Sequence, residues 1–128
     1  MGTDQVVIFC VDDQIENLFL FKNLCPRDWE VHTFSSAEQA LLSLNEKKPW
    51  VILSDYRMPK MSGVEFFKAT LSKWPKARRI MVTAFNDEDV FIESLRKGQI
   101  TDFLKKPWDP KEVLERIDEA IKQYLLSA

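Results

Sequence analysis

Two unbroken apolar runs constrain this chain most. They are Val6-Val7-Ile8-Phe9-Cys10-Val11, closed by Asp12 and Asp13, and Val51-Ile52-Leu53-Ser54, closed by Asp55. Short, β-branched-rich runs bounded by turn residues read as strands covered on both faces, and such strands belong to parallel sheets. In an open parallel α/β sheet, ligands and chemistry collect in the crevice outside the carboxyl ends of the strands. A carboxylate closing such a strand is therefore presented to whatever binds. Asp55 alone is ambiguous, because an aspartate at a strand end is also a turn former or a helix cap.

The intervening segments carry helical spacing. Ile15, Leu18 and Phe19 recur between residues 14 and 24, and Pro26 marks the exit. Residues 31–34 predict a short strand, and Ser35 with Glu38 has capping-box spacing ahead of Ala37, Ala40, Leu41 and Leu44. Val64, Phe67 and Leu71 predict a third helix that stops near Trp74-Pro75. Residues 79–83 predict a fourth strand. Asn86 or Asp87 opens a helix bearing Phe91, Ile92 and Leu95, which Gly98 closes. Residues 100–104 predict a fifth strand, and Val113, Leu114, Ile117, Ala120, Ile121, Tyr124 and Leu125 mark a long amphipathic helix. Five strands alternating with five helices predict an α/β fold: a single doubly wound parallel sheet with helices on both faces.

Composition narrows the function. At 128 residues, 45% hydrophobic and 30% charged with a net charge of −2, the chain fits one globular domain. Lys and Arg are dispersed rather than gathered into the basic stripe that a nucleic-acid backbone requires, so no direct nucleic-acid binding is expected. No apolar run approaches the roughly 20 residues of a membrane span, and no signal peptide opens the chain. A cytoplasmic location, without membrane association, is the expectation. Cys10 and Cys25 lack metal or disulfide spacing and read as buried thiols. His32 reads as an exposed strand residue, and the tryptophans as packing, with Trp108 placed to border a partner surface.

Polar residues occupy the exits of four strands: Asp12-Asp13, Asp55, Thr83 and Lys106. Carboxylates gathered there repel unless a cation sits among them, and a hard, oxygen-preferring ion such as Mg²⁺ answers that need. A hydroxyl, a lysine and a metal around one carboxylate form an apparatus for phosphoryl transfer, with Asp55 as the nucleophile.

The chain resembles the receiver domains of two-component response regulators. The resemblance rests on Asp12-Asp13, on Asp55-Tyr56-Arg57-Met58-Pro59-Lys60-Met61-Ser62-Gly63, on Val82-Thr83-Ala84 and on Phe103-Leu104-Lys105-Lys106-Pro107, in order across residues 5–126. It implies a flavodoxin-like three-layer sandwich forming one domain over residues 1–128, either standing alone or cut from a longer protein. It implies that Asp55 accepts a phosphoryl group from a histidine kinase or a histidine phosphotransfer protein. Asp13 and Asp55 would bind Mg²⁺ (or Mn²⁺) directly with the main-chain carbonyl of Arg57, and Asp12 would act through water. Lys106, not Lys105, would contact the phosphoryl group. Thr83 and Phe103 would form a switch pair reshaping the face of the fourth helix, fifth strand and fifth helix. That face would meet an output domain, a protein partner or a second copy in a homodimer. Arg57 and Phe85 would tune the lifetime of the phosphorylated form. Such a domain is a signalling module that catalyses only its own phosphotransfer and dephosphorylation.

Three departures stand out from the commonest pattern. One extra residue separates Gly98 from Phe103, Phe103 replaces a tyrosine, and Lys106-Pro107-Trp108-Asp109 resembles receivers joined to enzymatic outputs such as cyclic-dinucleotide phosphodiesterases. The alternatives are a haloacid-dehalogenase-type phosphatase or phosphotransferase, a flavodoxin-like cofactor binder and a receiver-like docking module that is not phosphorylated. The first wants D-x-D after the first strand, and the second wants a glycine- and hydroxyl-rich phosphate cradle where two carboxylates stand.

Overall fold

The computed structural model describes residues 5–83 and 88–127. Among them the elements run β1 (Val7–Val11), α1 (Ile15–Leu24), β2 (Glu30–Phe34), α2 (Ala37–Leu44), β3 (Val51–Asp55), α3 (Gly63–Lys73), β4 (Arg78–Thr83), α4 (Glu88–Arg96), β5 (Asp102–Lys105) and α5 (Pro110–Leu126). The sheet is parallel throughout, in the order β2-β1-β3-β4-β5. The expected doubly wound α/β sandwich is the observed fold. Chain order reverses between β1 and β3, which opens the crevice at their carboxyl ends.

The period of two along each strand sorts the core into two clusters. Ile8, Cys10, Val51, Leu53, Ile80, Val82 and Leu104 pack with Leu18 and Phe21 of α1 and Val113, Ile117 and Ala120 of α5. Phe9, Val11, Ile52 and Met81 point the other way, into Ala37, Ala40 and Leu44 of α2, Phe66 and Phe67 of α3 and Phe91 of α4. Thus α1 and α5 cover one face of the sheet and α2, α3 and α4 the other. Both cysteines are free and buried, as expected.

Several local expectations shift. The fifth strand begins at Asp102 rather than Ile100, because the Thr101 N–H donates to the Arg79 carbonyl at 2.7 Å while Ile100 and Gln99 remain bonded to the Ser94 carbonyl. Ser36, not Ser35, caps α2 by accepting from the Gln39 N–H. The capping box lies instead at Ser62 and Glu65, where both reciprocal bonds form and start α3. In α1, Leu18 and Phe21 are buried, whereas Ile15 and Phe19 are 70% and 69% exposed. Phe91 is buried in α4 while Ile92 is exposed, and Leu125 of α5 is exposed. His32 is half-buried, pairing with Glu30 and packing edge-on to Phe9. Gly98 follows α4 with φ +74°, the left-handed conformation that suits a glycine closing a helix. The helix opening expected at Asn86 or Asp87 lies outside the described residues. Among the described residues no helix is long and apolar enough to cross a membrane.

Candidate functional site

Register brings the polar exits together. Val11 pairs with Ser54, Asp55 with Val82 and Thr83 with Lys105, so Asp12, Asp55, Thr83 and Lys106 emerge along one edge of the sheet. Strand alternation then divides them. Asp12, Asp55 and Lys106 continue the rows of Cys10, Leu53 and Leu104, which face α1 and α5, whereas Thr83 and Phe103 fall on the rows facing α2, α3 and α4.

Lys106 is the hub of the charged group. Its Nζ lies 3.1 Å from Asp12 Oδ2 and 3.2 Å from Asp55 Oδ1, and the three side chains are 15%, 2% and 13% exposed. The Lys106 main-chain N–H donates to the Thr83 carbonyl at 2.7 Å, fixing the stem from which the ammonium reaches back. The following Lys106–Pro107 peptide is cis. Of the two adjacent lysines, Lys105 is exposed.

The acidic pair is not symmetric. Asp12 is buried and both of its oxygens are engaged: Oδ1 accepts from the Gln14 N–H at 2.9 Å, and Oδ2 accepts from Asn17 Nδ2 at 3.0 Å as well as from Lys106. Asp12 thus tethers the start of α1. Asp13 is exposed. Burial raises the pKa of Asp55 above the ordinary carboxylate value; Lys106 opposes this, while the charges of Asp12 and Asp13 add to it. Burial works against the Lys106 ammonium. The hydrogen bonds and charges of Asp12 and Asp55 outweigh it and raise the Lys106 pKa above the usual lysine value.

Asp12, Asp13 and Asp55 each offer a carboxylate oxygen, all within 4.8 Å of one another. One ammonium among three carboxylates leaves a negative excess, and the donors are hard oxygens. The residues fit a divalent cation such as Mg²⁺.

The loop after Asp55 is held closely. Ser54 Oγ donates to the Asp55 carbonyl at 3.0 Å, the Tyr56 N–H to the Val82 carbonyl at 2.9 Å and the Gly63 N–H to the Tyr56 carbonyl at 2.8 Å. Lys60 takes φ 68° at the turn. Met58 and Met61 pack against the α2, α3 and α4 cluster. The Arg57 guanidinium lies over the Tyr56 ring, 5.9 Å from its centre. Thr83 is buried, and Phe103 is half-buried opposite Met81. Trp108 packs edge-on to Phe21. Phe85 lies outside the described residues. Sequence reasoning missed Asn17, whose amide engages Asp12. Its only signal is a position five residues beyond Asp12, on a helix entered just after it.

A family model described as the response regulator receiver domain matches residues 8–118. The hydrogenase transcriptional regulatory protein HoxA of Cupriavidus necator is 30% identical over 95% of this chain, which spans 25% of that protein's length. The chemotaxis protein CheY of Listeria monocytogenes is 30% identical over 90% of this chain and 98% of its own. The receiver domain of an HD domain-containing protein from Pseudomonas fluorescens superposes with a TM-score of 0.89 at 26% identity, covering 95% of this chain and 98% of that one.

Proposed function

The chain belongs to the response regulator receiver family, and from that premise we propose that Asp55 takes a phosphoryl group from a histidine kinase or a histidine phosphotransfer protein. The observation carrying this reading is the convergence of Asp12 and Asp55 on the Lys106 ammonium, with Asp13 beside them, at the carboxyl edge where the sheet reverses order. An Asp55 oxygen attacks the phosphorus as the bond to the donor imidazole breaks. Lys106 neutralises the added charge, and the Thr83 hydroxyl hydrogen-bonds the transferred group. Asp13 and Asp55, with the main-chain carbonyl of Arg57, would hold Mg²⁺ or Mn²⁺ directly. Asp12, whose oxygens are already engaged, would act through water. Bound there, the cation supplies further neutralisation of the phosphoryl oxygens.

The test is intact mass after incubation with acetyl phosphate and Mg²⁺. Wild type should gain one phosphoryl group, and both Asp55→Asn and removal of divalent cation should abolish the gain. A comparable gain on Asp55→Asn would overturn the assignment; no gain on wild type would favour a docking module.

In this reading phosphorylation shifts a pre-existing equilibrium in which Thr83 and Phe103 move together. The face of α4, β5 and α5 then meets an output domain, a protein partner or a second copy of the chain. The likeness to HoxA and to the receiver domain of an HD domain-containing protein supports a receiver joined to a further domain. By resemblance to other receivers, Arg57 and Phe85 hold the positions that would border the path of the hydrolytic water. Neither residue type offers a general base, and side chains of that size would obstruct an in-line water.

A further inference from the structure

A chain of aromatic rings runs from the acceptor strand through α4 to β5. The ring of Tyr56, the residue after Asp55, meets Phe91 edge-on, with centroids 5.2 Å apart and planes at 89°. Phe91 in turn meets Phe103 at 5.4 Å and 41°. Phe91 is fully buried in the core cluster on the α2, α3 and α4 side, and the half-buried Tyr56 and Phe103 pack against that cluster. The backbone of Tyr56 is pinned on both sides, its N–H to Val82 and its carbonyl by Gly63.

We infer that Tyr56 and Phe91 are positioning residues that couple the state of Asp55 to Phe103 and α4 by direct ring packing. The inference rests on the proposed phospho-acceptor role of Asp55. Phe91 is fully buried and interiors are close-packed, so pressure from the Tyr56 ring on one of its sides is passed to the Phe103 ring on the other. Edge-on and tilted aromatic pairs also have distinct preferred geometries, which lets a small shift become a change between discrete arrangements rather than a gradual deformation. This route differs from the pairing of Thr83 with Phe103. Its middle member sits on α4, so the helix moves because it carries the ring.

The experiment uses the full chain with Mg²⁺ and beryllofluoride in place of the phosphoryl group. Aromatic-ring and amide NMR follow Phe103 and α4, and intact mass with acetyl phosphate is measured in parallel. Wild type, Tyr56→Leu, Phe91→Leu, their double variant and Tyr56→Phe are compared. The response at Phe103 should fall to half or less in Tyr56→Leu and in Phe91→Leu, while each gains phosphoryl mass like wild type. The double variant should lose no more than either single, since links in series are not additive. Tyr56→Phe, which keeps the ring, should respond as wild type does. Should Phe91→Leu fail to fold, the contrast between Tyr56→Leu and Tyr56→Phe decides the matter. Full responses in the leucine variants, or losses that add in the double variant, overturn the coupling and leave the phospho-acceptor reading intact. Absence of both mass gain and beryllofluoride response in wild type removes that reading and the coupling with it.

Discussion

The backbone of Gly63 lies so close to the carbonyl of Asp55 that a Cβ at position 63 would stand 2.5 Å from that oxygen and 2.7 Å from the sulfur of Met81. One contact is backbone at the end of the central strand, so it cannot be relieved by a rotamer change. Gly63→Ala is expected to lower the unfolding free energy by about 1–3 kcal/mol, as overpacking does, and to slow phosphorylation of Asp55. Urea denaturation and the rate of mass gain with acetyl phosphate report the two effects. Stabilisation of about 1 kcal/mol, the ordinary benefit of Ala over Gly inside a helix, would contradict the close approach.

The two members of the acidic pair should respond differently to the same substitution. Asp12 is buried and accepts from Gln14, Asn17 and Lys106, so Asp12→Asn should cost about 2 kcal/mol in the metal-free protein. Asp13 is exposed within a cluster of like charge, so Asp13→Asn should leave the metal-free protein as stable as wild type or more so. Asp13→Asn should also weaken Mg²⁺ binding more than Asp12→Asn does. Melting temperatures in chelator and in Mg²⁺ check both statements; equal behaviour of the two variants would refute the asymmetry.

Arg79 ties the loop between α4 and β5 to the opposite end of β4. Arg79 is 3% exposed, and its guanidinium donates to the carbonyls of Gln99 at 2.9 Å, Ala77 at 2.6 Å and Gly98 at 3.0 Å. Burial, then the charge of Arg78, pushes its pKa down to about 10, so it remains a cation at neutral pH. A lysine cannot reproduce that planar fork. Arg79→Lys should cost about 3 kcal/mol by leaving buried carbonyls unpaired, and amide exchange should quicken across residues 98–101. Unchanged exchange there would show that the loop is held by other contacts.

Burial pushes the Cys25 thiol up to about 12 and raises Cys10 well above its ordinary value. At pH 8 a disulfide-exchange reagent should therefore label neither thiol until urea unfolds the chain. The folded pKa of Cys25 lies above the unfolded value of about 8.5, so its contribution to stability is present below that pH and is lost as pH rises toward 12. Across that window wild type should lose on the order of 1 kcal/mol per pH unit relative to Cys25→Ala. Parallel stability curves for the two proteins would contradict the burial.

The proposed lifetime-tuning role of Arg57 and Phe85 predicts slow self-dephosphorylation. After donor removal, the phosphorylated form of the double variant Arg57→Asn with Phe85→Ala should decay faster than wild type. Slower or unchanged decay would mean that Arg57 orients the water instead.

Much of the architecture was legible because it is local. An unbroken apolar run closed by a carboxylate specifies a buried strand and its polar exit at once, and period-two alternation assigns each strand residue to a face before any contact is known. Asp12, Asp13, Asp55, Thr83 and Lys106 could therefore be named as strand-end residues from the sequence. What the sequence could not decide depends on which element packs where. The Lys106 ammonium reaches Asp12 across 94 positions, and no local rule says that Asp12 rather than Asp13 turns inward. The apolar spacing of α1 suits Ile15 and Phe19 as well as Leu18 and Phe21, but only the latter pair meets the sheet. The start of β5 moved because Arg79 and Ser94 hold the preceding loop, an arrangement of backbone carbonyls that leaves no periodic trace. The approach of Gly63 to Asp55 and the ring series Tyr56, Phe91 and Phe103 likewise arise from helices docking on a finished sheet. The sequence alone determined which residues stand at the edge of the sheet; tertiary packing decided which are buried and which touch, because burial and contact belong to pairs of distant segments and not to either one.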